Sequence, residues 1–233
     1  MLVVPEKRLV FLLPMKVGSL SLIEAMKPFG GYIDPKKCDH HHKSRYVEKL
    51  KDYHWVLMVR HPYTHMFSLW NFIMDHAKRG PKIKKNKKIS FWYDCFPHAH
   101  KGKVPGLEEF VSDPSNKYMP RHVVSAFQKN LRKSHWRCAW HLEQIKPKKV
   151  DSIVHFERYY EEITALPGLA DLPEIVNVNK TSETEYPWYE YFTPKVVEKV
   201  QSYWGNEFEE FGYTRDFGQV RQGNYFLGNN NDK

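Results

Sequence analysis

The stretch RLVFLLPMKVGSLSLIEAM, residues 8–26, decides the fold class. An apolar run from Leu9 to Leu13 breaks at Pro14 into a short Lys/Gly/Ser turn, and an amphipathic helical pattern follows. A buried strand, a small-residue turn and a helix, in that order, is the usual way an α/β protein holds a phosphate. Gly18 lets the backbone approach a ligand closely, and the helix beyond it presents N–H groups to an anion. Ser19 and Ser21 add hydroxyl donors and Lys16 adds a mobile positive charge. On this stretch alone two readings stay open: an anion-holding loop, or an ordinary strand-to-helix turn with a solvated lysine. The order is wrong for a nucleotide triphosphatase, in which the lysine follows directly on a glycine.

Further along, the pattern repeats. HWVLMVR, residues 54–60, reads as a second buried strand of the parallel-sheet type, and Pro62 sits where a helix could start. Residues 63–77 carry Met66, Phe67, Trp70, Ile73 and Met74 close to a 3.6-residue period. Short helices are expected at 45–51 and 106–112, and a longer one at 120–144. VDSIVHFE, residues 150–157, is a third strand, with a helix from Tyr159. The clearest helix is 193–213, with Thr193 as N-cap, Pro194 in the first turn and closure at Gly212. Strands alternating with helices imply a P-loop-like, three-layer α/β/α fold around a central, mostly parallel sheet. The chain reads as one domain over 1–233. A basic and aromatic surface excursion interrupts it at about 78–105, and a flexible tail ends it.

Composition sets the boundaries. Hydrophobic residues at 41% and aromatics at 15% of 233 residues describe a folded globule. A net charge of +9 points to an anionic partner, such as nucleic acid, a phosphorylated nucleotide or an acidic polysaccharide. Three widely spaced cysteines, Cys38, Cys95 and Cys138, form neither a disulfide framework nor a zinc pattern, which favours a reducing compartment, and the chain is expected to be cytoplasmic or otherwise soluble. No segment reaches the ~18 apolar residues of a membrane span, and no secretory signal is read at the N-terminus.

A second strand-end stretch is RHPYTHMFSLW, residues 60–70. Arg60 stands at a strand's C-terminal end, where open parallel sheets bind ligands, and Ser68 follows about two helical turns later. Both could contact one phosphate, Arg60 through its planar fork of donors. The two stretches together resemble sulfotransferases that use 3′-phosphoadenosine 5′-phosphosulfate (PAPS). Their 5′-phosphosulfate loop commonly reads Pro-Lys-Thr/Ala-Gly-Thr/Ser-Thr/Ser-x-Leu, and MKVGSLSL matches it at Lys16, Gly18, Ser19 and Leu22. Their 3′-phosphate motif commonly reads Arg-Asp/Asn-Pro-x-x-Arg-x-x-Ser-x-Tyr/Trp, and this chain matches at Arg60, Pro62, Ser68 and Trp70. The likeness continues through VHFERYYEEI (154–163), residues 176–200 and FEEFGY (208–213). It is strongest to Golgi-type carbohydrate sulfotransferases, although no membrane anchor is seen. Met15, Val17, Leu20 and His65 depart from the usual pattern, and Leu20 removes one possible hydroxyl ligand.

The resemblance implies a set of roles. Lys16 to Ser21, that is Lys16, Val17, Gly18, Ser19, Leu20 and Ser21, would cradle the 5′-phosphosulfate, with Lys16 neutralising charge on the leaving-group oxygen. Arg60 and Ser68 would hold the 3′-phosphate, and Lys180 in NKTS would reach the phosphosulfate. The product would be adenosine 3′,5′-bisphosphate, and no metal is required. A hydroxyl acceptor, most simply on a glycan, needs a base near neutral pH. CDHHHKSRY, residues 38–46, offers His42 with Ser44 at the spacing some relatives show, and His40 in reserve. Glu157 resembles a family glutamate that equally well braces a helix. RQG, 221–223, resembles a 3′-phosphate contact of cytosolic relatives. Competing classes are a basic nucleic-acid-binding protein, for which no motif is present, and a P-loop kinase or triphosphatase, which lacks the G-x-x-x-x-G-K-[ST] order.

Overall fold

Apolar residues at consecutive positions make a strand that is buried on both faces, and the central strands have that character. The computed structural model describes residues 1–33, 47–79, 106–112, 138–143, 145–146, 149–173, 175 and 184–227. It divides into two compact units, Met1–His61 with His135–Lys180, and Pro62–Ser134 with Thr181–Lys233.

The first unit holds the sheet. Its strands are Leu2–Val4 (β1), Leu9–Leu12 (β2), His54–Val59 (β3) and Ser152–His155 (β4), in spatial order β1-β2-β3-β4. β2, β3 and β4 run parallel, with Leu12 opposite Leu57 and Val59 opposite His155. Three strands follow the sequence expectation within two residues at each end. β1 was not expected: three residues are too few to show a period, and its pairing comes from a tight reversal. The 3₁₀ turn Pro5–Lys7 and Arg8, at φ 51°, fold it back antiparallel onto β2.

Helix Ser19–Met26 (α1) lays Leu22 and Met26 against Leu9, Phe11, Val56, Met58 and Val154, and helix Tyr159–Thr164 (α5) adds Ile163 to the same core. Residues of opposite parity, among them Val10, Leu12, Trp55, Leu57 and Val59, are equally buried. Helix Cys138–Glu143 (α4) packs on β3, where the Cys138 thiol lies 3.8 Å from the Met58 carbonyl. Polar ties fix the far edge of the sheet: Trp55 N–H donates to Asp151 Oδ2 at 2.7 Å, and His54 Nε2 meets Ser152 Oγ at 2.8 Å.

The second unit is helical where it is described. Pro62–Arg79 (α2) starts at the proline, as expected, and buries Tyr63, Met66, Leu69 and Trp70. Leu107–Ser112 (α3) and Pro194–Trp204 (α6) pack together. Thr193 caps α6 by accepting the Val196 N–H at 3.4 Å. The long helix expected over 193–213 is two helices. Gly205, at φ 53°, ψ −121°, ends α6, and Glu207–Glu210 (α7) follows before Gly212, at φ 70°, closes the segment. A glycine inside an apolar period stops the helix where the chain takes a positive φ that other residues rarely adopt. Phe217–Arg221 (α8) is capped by Asp216, which accepts from Gly218 and Gln219 N–H. The expected 78–105 excursion falls largely outside the described residues, as does most of the 120–144 helix.

Candidate functional site

Parallel strands end on one edge of a sheet, so the chain after β2, β3 and β4 emerges there. Residues 13–18 leave β2, Arg60 and His61 leave β3, and the 3₁₀ turn Phe156–Arg158 leaves β4. All of these lie in the first unit.

The turn after β2 is built around two left-handed residues. Lys16 has φ 66° and Gly18 has φ 79°. For a side-chain-bearing residue that conformation costs about 1–2 kcal/mol, so something must hold Lys16 there. Arg60 does so: its Nη1 donates to the Lys16 carbonyl at 2.9 Å. Val17, between the two, is fully buried in the core and anchors the turn from the other side. Gly18 sits at the N-cap of α1, where it has no side chain to cap the helix, and its carbonyl begins the helix by accepting from Leu22 N–H at 3.2 Å. Ser19 Oγ donates to the Pro14 carbonyl at 3.5 Å. Ser21 is buried, and Leu20 is 52% exposed in the first turn.

The segment after β4 closes on this turn from a third side. The guanidinium carbon of Arg60 stands 4.1 Å from the Phe156 ring centroid. The Tyr159 hydroxyl donates to the Gly18 carbonyl at 3.3 Å. A Cβ at Gly18 would come 3.0 Å from Phe156 Cε2 and 3.2 Å from Tyr159 Cε2. Glycine is therefore required twice over, by φ and by space. Glu157 accepts the His61 backbone N–H at 3.0 Å, tying β4's exit to β3's. His155 is bonded to Glu162 through both its backbone N–H, at 2.6 Å, and its ring Nδ1, at 2.9 Å. Burial pushes the Glu162 carboxyl up, but the His155 bonds and the Arg158 charge outweigh it and hold the group below its ordinary value.

The structure thus brings Lys16, Val17, Gly18, Ser19, Leu20, Ser21 and Arg60 into one unit, with Arg60 bonded to the Lys16 backbone. Ser68 lies half-buried on α2 of the second unit. His40, His42 and Lys180 lie outside the described residues. Arg221, of RQG, is exposed on α8, with its guanidinium carbon 4.9 Å from the Tyr189 ring centroid. The sequence reading assigned no role to Phe156 and Tyr159. The available signal was an aromatic pair directly after a strand, opposite a turn that demands glycine.

A turn of this kind, two cationic side chains beside a helix start whose N-cap is a glycine, is suited to a polyanion. Comparison with known families agrees in kind. The description "Sulfotransferase family" matches residues 1–214. The chain belongs to that family. It is a sulfotransferase enzyme, and by family its sulfate donor is PAPS. No curated protein and no solved structure matches it. No helix among the described residues is long and apolar enough to cross a membrane.

Proposed function

We propose that this enzyme moves the sulfuryl group of PAPS to a hydroxyl of a carbohydrate, with the turn at 16–21 as its 5′-phosphosulfate site and a histidine of the 40–42 cluster as its base. The observation that carries the reading is the 2.9 Å bond from Arg60 to the Lys16 carbonyl, which joins the two strand-end motifs. The match over 1–214 runs through both units, which supports one sulfotransferase domain over the whole chain.

When bound, PAPS supplies the sulfuryl group and a phosphate leaving group. Backbone N–H groups of residues 17–21 hold the 5′-phosphate, and the Lys16 ammonium neutralises charge growing on the leaving oxygen. Arg60 and Ser68 hold the 3′-phosphate, and Lys180 adds a further cation at the phosphosulfate. His42, with His40 in reserve, takes the acceptor's hydroxyl proton on an imidazole nitrogen. The reaction needs no metal, and it runs in the cytoplasm. The odd cysteine count supports a reducing compartment. The carbohydrate acceptor rests on the likeness of the two motifs to glycan-modifying relatives and on the +9 charge, which favours acidic glycans.

The test is transfer from labelled PAPS to a panel of glycans, phenols and tyrosyl peptides, with and without a chelator. Label on glycan hydroxyls, unaffected by chelation, is expected, whereas label confined to phenols or peptides would overturn the carbohydrate reading. Lys16→Ala should stay folded and lose transfer. His42→Ala should keep affinity for adenosine 3′,5′-bisphosphate and lose turnover. Retained turnover in either variant removes that residue from its role.

A further inference from the structure

Three side chains, Arg60, Phe156 and Tyr159, meet at the Lys16–Gly18 turn, and two of them have no role in the chemistry described above. Phe156 is met twice: the Arg60 guanidinium carbon lies 4.1 Å from its ring centroid, and a Cβ at Gly18 would stand 3.0 Å from its Cε2. Tyr159 stands edge-on to Phe156, with ring centroids 5.9 Å apart, and its hydroxyl reaches the Gly18 carbonyl at 3.3 Å. That carbonyl also accepts the first bond of α1, from Leu22. Tyr159 therefore bonds to the atom that sets where the helix begins. Arg60 bonds to the carbonyl of the other left-handed residue, two positions earlier.

We infer that Phe156 and Tyr159 are positioning residues for sulfuryl transfer: with Arg60 they lock the turn in the shape that presents Lys16 and the α1 N–H groups. The chain of contacts is continuous. The Phe156 ring lies against the Arg60 guanidinium, that guanidinium holds the Lys16 carbonyl, and Tyr159 holds the Gly18 carbonyl. A turn with two residues at positive φ has ready alternatives, so removing either contact lowers the fraction of molecules in the competent shape. Burial pushes the Tyr159 phenol well above its ordinary value, so the hydroxyl keeps its proton and remains a donor throughout the neutral range. The inference rests on the assignment of residues 16–21 as the phosphosulfate turn.

The test pairs Tyr159→Phe, which deletes one hydroxyl, with Phe156→Leu and the ring-conserving Phe156→Tyr. Readouts are kcat and KM for PAPS, melting temperature, and amide hydrogen exchange at residues 16–20. Tyr159→Phe should lower kcat by roughly 3–10-fold, the span of one neutral hydrogen bond. Amide exchange in the turn should rise by a similar factor. Phe156→Leu should do the same, and Phe156→Tyr should restore both. Unchanged kcat and exchange in Tyr159→Phe and Phe156→Leu would overturn the inference. So would a fall in melting temperature that tracks the loss of activity without rescue by Phe156→Tyr, since that is a plain packing role. Turnover retained in Lys16→Ala would instead remove the assignment of the turn. The exchange readout would still report whether the two rings hold it, so the two failures are told apart.

Discussion

Gly18→Ala is the sharpest perturbation of the turn, and its size can be worked from the geometry. At φ 79° an alanine costs about 1–2 kcal/mol from its backbone alone. Its Cβ would also stand 3.0 Å from Phe156 Cε2, 3.2 Å from Tyr159 Cε2 and 3.3 Å from Phe156 Cδ2. Neither ring is a loose end, because one lies under Arg60 and the other is bonded to Gly18 itself. Overpacking against held rings adds roughly 1–3 kcal/mol. Gly168→Ala is the control. It lies in the same unit at φ 74°, and its Cβ would meet only the Lys7 side chain, Cδ at 3.4 Å and Nζ at 4.0 Å. The control should therefore show the backbone cost alone. For a chain of this size each kcal/mol shifts the melting temperature by about 2–4 °C. Gly168→Ala should fall by ~2–8 °C and Gly18→Ala by several degrees more. Calorimetric melts read the first quantity, and titration with adenosine 3′,5′-bisphosphate reads the second. Only Gly18→Ala should weaken bisphosphate binding, because only there does the added methyl push the turn off its rings. Equal melting shifts in the two variants, with bisphosphate affinity unchanged in both, would refute the reasoning.

Two further expectations concern pH. The Glu162 carboxyl is held below its ordinary value of 4.5 in the folded chain, so it contributes stability that is complete above that value and is lost as pH falls through the folded one. Denaturant midpoints measured downward from about pH 6 should show this acid limb, and Glu162→Gln should flatten it; an identical limb in the variant would remove the His155 pair as its cause. At the other extreme, burial pushes the Tyr63 phenol up to about 12, only partly offset by its bond from Gln201. Stability from Tyr63 is therefore complete below its ordinary value of 10.0 and is lost as pH rises through about 12. Phenolate absorbance should show late-titrating tyrosines, Tyr159 among them, with one fewer in Tyr63→Phe; an unchanged late amplitude in that variant would contradict the assignment.

Where local chemistry settles an element, the chain could be read directly. Leu9–Leu12 and Trp55–Val59 are apolar without interruption, Pro62 sits where a helix can start, and Thr193-Pro194 is a cap followed by a first-turn proline. The two motifs were legible for the same reason, since each places a cation and small residues beside a strand end. Where two alternatives differ by little locally, reading failed. β1 is three residues long, and Gly205 inside 193–213 leaves an apolar period that runs on past the break.

Sequence alone determined the parallel α/β plan, the glycine-containing turn between strand and helix at Lys16–Gly18 and the family likeness, because each follows from residues near one another in the chain. Only tertiary structure decided that Arg60 holds the Lys16 carbonyl and that Phe156 and Tyr159 close on Gly18. Those contacts join positions 44 and 141 residues apart in Arg60–Lys16 and Tyr159–Gly18. Their partners are set by strand order and register, with Val59 opposite His155, rather than by any local preference of the chain.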